Sequence, residues 1–417
     1  MIIRARVVVT MDGPPIENGA VVVSGDRVVA VGAFPEVAKG YSGEETVDLG
    51  EQAMLPGFIN AHCHLDYTGL RGKIPRQRSF TDWIRSINSE KAKLSAQDYV
   101  ESINEGFSAA KRFGTTSIAN LTAFPELVSQ IEPPIRTWWF PELIDVRQEI
   151  SDQNLNALCI QVASSGGPWG LAPHAPFTAS SNLYRRCEKI ARQEDILLTT
   201  HLAESREEAS MFRDAKGPLY EFLKGIGRDM SDCGQGTPVE RFREMFGDSS
   251  TSFLRSAPAR QALGMTKSWM LVHLNEIGSN DFDLLKPAAD KFSVVHCPRS
   301  HEYFEHSPFQ FRKLHEIGLN ICLGTDSLAS NDDLSLFAEM RAFQKEFSDV
   351  APEKIVEMVT VNPARGLRRE STLGKIRAGF LADLITLPIE KSKSVFEEIV
   401  AFDGAVSWLM LGGQVLA

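Results

Sequence analysis

From Gly57 to Leu323 the chain repeats one texture: a short apolar run, then a longer stretch with helical spacing. The runs are Gly57–Ala61, Thr116–Ala119, Ile135–Phe140, Gly170–Ala172, Ile196–Thr200, Trp269–Val272, Phe292–Val295 and Asn320–Leu323. Strands that alternate with helices pair in parallel, because each parallel pair needs a long crossover between its members. Eight such units over roughly 310 residues predict an α/β fold, a (β/α)8 TIM-like barrel. Between the first two strands, Ala96–Phe113 has helical periodicity and stops at Gly114, a C-cap signal.

The ends of the chain have a different texture. Ile2–Val9, Gly19–Val23 and Arg27–Val31 are β-branched runs separated by Asp12-Gly13 and Gly25-Asp26 turns. After a helical segment at Ala351–Val359, β texture returns at Ala382–Ile385 and Val406–Leu409. Short strands with exposed edges need partners. The expected organisation is therefore a small β-sandwich domain from residues 1–55 plus 366–417, with a barrel at 56–365. Residues 205–265 are rich in charge and glycine and are expected to insert helices and loops over one mouth of the barrel.

Polar residues follow these strands in a pattern. His62 and His64 come after the first, His174 after the fourth and His201 after the fifth. His273 follows the sixth, His296 the seventh and Asp326 the eighth. Strand C-termini in such a barrel converge on one face, where active sites sit. His62 and His64 lie two residues apart, so on a strand they point the same way and Cys63 points the other. Three imidazoles and a carboxylate suit one Zn²⁺ or Fe²⁺ ion, with a position left for water. The expected ligands are His62, His64, His201 and Asp326. A two-metal site would want a bridging ligand such as a carboxylated lysine on the fourth strand, and Trp169–His174 offers none. Such an ion lowers the pKa of its water toward about 7. Asp326 could take that proton, His273 could orient the nucleophile, and Glu204 could donate a proton to a ring nitrogen and later to the leaving group.

The remaining composition restricts the partners. Net charge is −10, and no dense Lys/Arg tract is present, which argues against nucleic acid and anionic membranes. No apolar run approaches the ~20 residues of a membrane helix. The N-terminal stretch has no signal-peptide cleavage site, and the six cysteines are scattered without a C-x-x-C, which together predict a cytoplasmic enzyme with reduced thiols.

The motifs resemble the amidohydrolase superfamily, in its branch of triazine chlorohydrolases and of adenosine-derivative, guanine and aminodeoxyfutalosine deaminases. They are PGFINAHCH (56–64), LAPHAPFTAS (171–180), THLAES (200–205), LVH (271–273), VHCPRS (295–300), LGTDSLASNDDLSLFAEM (323–340) and GKIRAGFLADL (374–384). The resemblance implies the same metal ligands, with zinc favoured over iron, and catalytic Glu204, His273 and Asp326. It places His174 against the substrate. Tyr67 and Trp83 are candidates to stack on a planar ring, although Trp83 also has the spacing of helix core with Ile84 and Ile87. Arg299 and Ser300 follow the seventh strand as further substrate-binding candidates, with Arg299 and His301 facing either an anionic group or solvent. His301 stands where the family often has Asn. The implied reaction is hydrolytic deamination of a purine-like heterocycle, with metal-bound hydroxide attacking the ring carbon and ammonia released. Rival readings are a hydrolase with another leaving group (chloride, an alkylamine or a cyclic amide nitrogen) and an inactive barrel used for binding. A homodimer is expected from the resemblance alone.

Overall fold

A computed structural model describes residues 1–77, 79–246, 269–390 and 394–416. Eight strands form the barrel: Phe58–Cys63, Thr115–Thr122, Arg136–Leu143, Gly170–Pro173, Leu197–Leu202, Trp269–His273, Phe292–His296 and Asn320–Leu323. They pair in sequence order, and every pair is parallel. A parallel bridge between Cys63 and Asp326 brings the end of the first strand against the loop after the eighth, which closes the ring. Each expected run is a strand, and several extend two or three residues further toward the polar end.

The barrel is filled. Ile59, Ala61, Leu121, Phe140, Ala172 and Val272 belong to one buried apolar cluster drawn from successive strands. The first strand slips against the second between Asn60 and Cys63, where three steps on one strand match two on the other. An extra residue of this kind re-aims the side chains beyond it. It brings His62 and His64 toward the centre, above Ile59 and Ala61, while Cys63 packs outward with Leu65, Ile103 and Phe107. The helix carrying those last two, Ala96–Arg112, begins at a Ser95/Asp98 capping box. It ends before Gly114, whose φ of +82° lies in the region glycine favours.

The terminal strands form one mixed sheet, in the order Gln414–Val415, Trp408–Leu411, Leu384–Pro388, Gln52–Pro56, Ile2–Val8, Ile16–Ser24, Arg27–Ala33. Thr46–Asp48 pairs beside Ile2–Val8. The antiparallel pairing of Leu384–Pro388 with Gln52–Pro56 ties the two chain ends together. Gln52–Pro56 runs through Gly57 directly into the first barrel strand. A side chain at Gly57 would collide with Thr116, so the two sheets approach each other closely there.

The insertion contributes helices Arg206–Asp214, Pro218–Gly225 and Pro238–Glu244. Leu219, Phe222, Leu223 and Ile226 from this segment line the cavity over the barrel mouth. The part of the expected insertion at 247–265 lies outside the described residues. Among the described residues, no helix is long and apolar enough to cross a membrane.

Candidate active site

The eight strand ends converge below a cavity of about 770 Å³. His64, His174, His201, Glu204, His273 and Asp326 all line it, together with Tyr67 and Trp83. His62 is fully buried beneath them. Nε2 of His64 lies 3.4 Å from Nε2 of His201. Two nitrogens bound at ~2.0–2.1 Å to one tetrahedral centre sit roughly 3.3–3.4 Å apart, so this spacing is that of two ligands on one ion. The ligating atoms of His62, His64 and His201 lie within 4.8 Å of one another. Oδ1 of Asp326 lies 3.8 Å from Nε2 of His62 and 3.9 Å from Nε2 of His64. These gaps are too long for hydrogen bonds and are of the size an ion between the atoms requires.

The hydrogen bonding agrees. Neither ring nitrogen of His62 has a hydrogen-bond partner, although both are buried. Native interiors rarely leave such groups unpaired, and a bound cation satisfies them. Burial, then the neighbouring His62 and His201, holds His64 well below the usual imidazole pKa. Burial, then His174 and His62, pushes His201 down to about 3. Neutral imidazoles are the form that ligates metal. The backbone carbonyl of His174 engages Nδ1 of His201 at 3.0 Å, which leaves Nε2 for the ion.

The candidate ligands are held by the strands and by a second layer of bonds. The backbone N–H groups of Thr325 and Asp326 both donate to the carbonyl of His62. Asn60 donates to Thr325 Oγ1 at 2.8 Å. Gly324 packs so tightly on the His62 backbone that any Cβ would collide with it. Ser300 Oγ donates to Asp326 Oδ2 at 2.7 Å, and the Ser327 amide donates to Oδ1 at 2.7 Å. Ala203, His273, Leu274 and Asp326 all adopt positive φ, between +50° and +79°. Left-handed backbone in non-glycine residues costs on the order of 1–3 kcal/mol each and clusters at functional sites.

Beside the ligands, Glu204 Oε1 stands 3.5 Å from Nε2 of His273. Burial, then the carboxylates of Asp326, Glu208 and Glu142, drives the Glu204 pKa well above the ordinary value. Burial holds His273 neutral despite Asp326, and its Nε2 has no hydrogen-bond partner in the protein. For Asp326, burial raises the pKa, but His62, His273 and His64 outweigh it, so the group stays ionised. Glu208 positions Glu204. Its carboxylate accepts from the amides of Ala203 at 3.2 Å and Glu204 at 2.7 Å, clamping the loop that leaves the fifth strand.

Not every expected contact reaches the cavity. Arg299 is not in its lining, because its guanidinium is bonded to Asp333 at 2.6 Å and Asp332 at 3.2 Å. Ser300 is turned to Asp326, to which its hydroxyl donates. His301 is likewise engaged within the protein, its Nε2 meeting the Ser307 carbonyl at 2.9 Å, and His296 stacks on Phe309 with ring centres 3.9 Å apart. Tyr67 lines the cavity, but its ring already lies parallel to His64 at 5.8 Å and beneath Lys91 Nζ at 4.7 Å. Trp83 lines the cavity from the helix Phe80–Lys91 and also packs on Phe80 and Phe304, so it is wall and helix core at once.

Glu142 is among the cavity residues that lie outside the sequence motifs. Glu142, at the end of the third strand, lies 3.7 Å through Oε1 from Nε2 of His174. Its signal is the period of two that continues Trp138 and Phe140 past the apolar run. Glu142, His174 and His201 form a second convergent trio. It does not make an independent metal site, because His201 has only Nε2 free and that atom is turned to His64.

The 5-methylthioadenosine/S-adenosylhomocysteine deaminase of Pyrococcus furiosus is 25% identical over 402 residues, covering 90% of this chain and 86% of that protein. The crystal structure of Helicobacter pylori aminofutalosine deaminase in complex with methylthio-coformycin superposes with a TM-score of 0.82 at 22% identity, covering all of both chains. Zinc-bound atrazine chlorohydrolase from Arthrobacter aurescens TC1 gives 0.77 at 17% identity, covering all of this chain and 94% of the other. Residues 53–416 match the amidohydrolase family. With that match spanning the barrel, its mouth and the strand that ties the terminal sheet to it, the chain belongs to the amidohydrolase family and is a hydrolase with a metal-binding cluster.

Proposed function

We propose that this protein is a hydrolytic deaminase, which replaces the exocyclic amino group of a purine-like heterocycle by oxygen and releases ammonia. The observation that carries the reading is the carboxyl of Glu204, buried 3.5 Å from His273 at the rim of the His/Asp cluster, where burial and the surrounding carboxylates favour its protonated form. A ring nitrogen next to an amino-bearing carbon needs a proton before water can add, and a carboxyl at Glu204 is placed to supply one. The names of the deaminases among its relatives support the same reaction class.

The residues divide the work. His62, His64, His201 and Asp326 would hold one divalent ion, for which zinc is proposed from the donor set and from the zinc-bound neighbour. When bound, that ion acidifies water and polarises the attacked centre. Asp326 Oδ1 accepts the proton of the attacking water. Glu204 delivers its proton to the ring nitrogen, Asp326 passes its own to the departing amine, and the hydroxyl proton of the adduct returns to Glu204 as the C=O bond forms. The overall change is balanced: amine plus water gives the oxo heterocycle plus ammonia. His273 Nε2 orients the incoming oxygen. Phe80, Trp83, Phe177 and Phe222 give the cavity an apolar wall against which a planar ring could lie.

Adenosine derivatives and aminodeoxyfutalosine are the proposed substrates. The test is ammonia release by zinc-loaded enzyme from adenosine, S-adenosylhomocysteine, methylthioadenosine, aminodeoxyfutalosine, guanine and amino-triazines. Ammonia from one purine-like member supports the reading. Chloride from a chlorotriazine with no ammonia from any member overturns it.

A further inference from the structure

One wall of the cavity is a single face of the helix Phe80–Lys91, from which Phe80, Trp83, Ile84, Ile87, Asn88 and Lys91 all line it. That spacing is one stripe along the helix, so a shift of the helix moves the whole wall at once. A helix of 12 residues is marginal by itself in water, and its place is set by what it is tied to. The first amide donors of a helix have no partner inside it. Here Ser79 Oγ accepts from the Asp82 amide and the Ser79 carbonyl from the Trp83 amide, each at 3.1 Å. The other two are met from far along the chain. Glu207 Oε1 accepts from the Phe80 amide and Oε2 from the Thr81 amide, each at 3.0 Å. The hydroxyl of fully buried Thr81 also donates to Glu207 Oε2.

Glu207 stands beside Glu208 in the first turn of the helix Arg206–Asp214. Glu208 accepts from the amides of Ala203 and Glu204, and Glu207 from those of Phe80 and Thr81. Two consecutive carboxylates thus hold the loop of Glu204 and the cavity wall to one helix turn. The wall has other ties. Trp83 Nε1 donates to the Ala329 carbonyl at 3.4 Å, near the limit of a hydrogen bond, and the Arg85 guanidinium lies over the Phe222 ring at 5.3 Å. Bonds from backbone N–H groups to a carboxylate are stronger than either, and a negative charge at a helix N-terminus gains further from the helix dipole. Of these polar ties, that of Glu207 is the strongest.

We propose that Glu207 is a positioning residue for substrate binding: by holding the first turn of the helix Phe80–Lys91, it fixes the cavity wall relative to Glu204. The proposal takes the deaminase reading of the cavity as its starting point and adds a residue, itself outside the cavity lining, that keeps the cavity in its binding form. Without the Glu207 carboxylate the wall keeps its side chains but is in place for only a fraction of the time, and apparent affinity falls by that fraction. A loosened wall weakens its hold on substrate and transition state alike, so KM rises while kcat is kept.

The first readout needs no substrate. Hydrogen–deuterium exchange of the zinc-loaded protein is followed by mass spectrometry. In Glu207→Ala the amides of residues 80–91 should exchange at least about tenfold faster, the factor for losing hydrogen bonds to a charged group, while those of the barrel strand Leu197–Leu202 keep their wild-type rate. Glu207→Gln retains one acceptor oxygen and Thr81→Val removes only the hydroxyl donor. Both should show smaller increases, and they serve if the alanine variant fails to fold. The second readout is kinetic, with whichever heterocycle the enzyme hydrolyses, a chlorotriazine included. KM should rise about tenfold in Glu207→Ala, with kcat changed less than about twofold. Loss of folded protein would instead lower kcat and leave KM alone. Wild-type exchange at residues 80–91 in Glu207→Ala, or faster exchange with KM unchanged, overturns the proposal. If both effects appear with chloride released and no ammonia, the assignment of Glu207 stands and the deaminase reading falls. Ammonia release with neither effect leaves the deaminase reading standing and overturns the assignment.

Discussion

Glu204 Oε1 and His273 Nε2 face each other across 3.5 Å, with burial raising the pKa of the carboxyl and lowering that of the imidazole. The pair is set to act on a substrate placed between it and the His/Asp cluster. In Glu204→Gln the shape is kept and the transferable proton is lost. Turnover should drop by roughly 10²–10⁴-fold, the usual range for a general acid–base. Zinc content, measured by plasma mass spectrometry, should be unchanged. Full turnover in this variant would remove Glu204 from its role.

Asp326 differs, because the proposed mechanism has it both ligate the ion and move protons. Asp326→Ala should abolish activity and lower the metal bound per chain. Stripping the wild-type protein with a chelator should also lower Tm, since an ion that binds only the folded state stabilises it by mass action. Restoration of Tm and activity by zinc checks that the loss is reversible. An unchanged Tm after complete stripping would show that the imidazole cluster does not hold the ion.

Ser300 tests the supporting layer. Ser300→Ala removes the hydroxyl that donates to Asp326 Oδ2 at 2.7 Å and leaves the backbone path intact. Such outer partners are worth about 10–100-fold in metal affinity or activity. Competition with a chromophoric chelator would read the affinity. If Ser300 instead touched substrate, KM would rise while metal affinity stayed the same.

Glu208 gives a prediction about stability and pH. Burial raises its pKa from 4.5 to about 8, against the opposing hydrogen bonds from the amides of residues 203–205. The folded chain therefore binds this proton more tightly than the unfolded chain. Its contribution to stability is complete below about 4.5 and is lost as pH rises toward about 8. Tm should fall across that window in the wild type, and Glu208→Gln should flatten part of the fall. Because the amide keeps one acceptor oxygen and replaces the other, the variant should also lose about 1 kcal/mol at pH 5. An unaltered slope of Tm against pH would show that Glu208 is not the titrating group.

The sequence alone determined the repeat of strand and helix, the identity of the residues at the strand ends and the side-by-side placement of His62 and His64. These follow from local periodicity, which every short segment carries by itself. Ala96–Arg112 with Gly114 after it is a case of the same kind, a helix whose start, stop and buried face are set within its own residues. What the tertiary structure decided is direction and company. The extra residue between Asn60 and Cys63 aims His62 and His64 toward the barrel centre, and it exists only in the pairing with the second strand. Arg299 was open to read as a substrate contact until the fold placed Asp332 and Asp333 within reach, because an ion pair depends on residues some 30 positions away. Glu142 and Lys91 come to one wall from different strand–helix units. No window of sequence holds both, so the wall they form, and the chemistry it can recognise, exists only once the barrel closes.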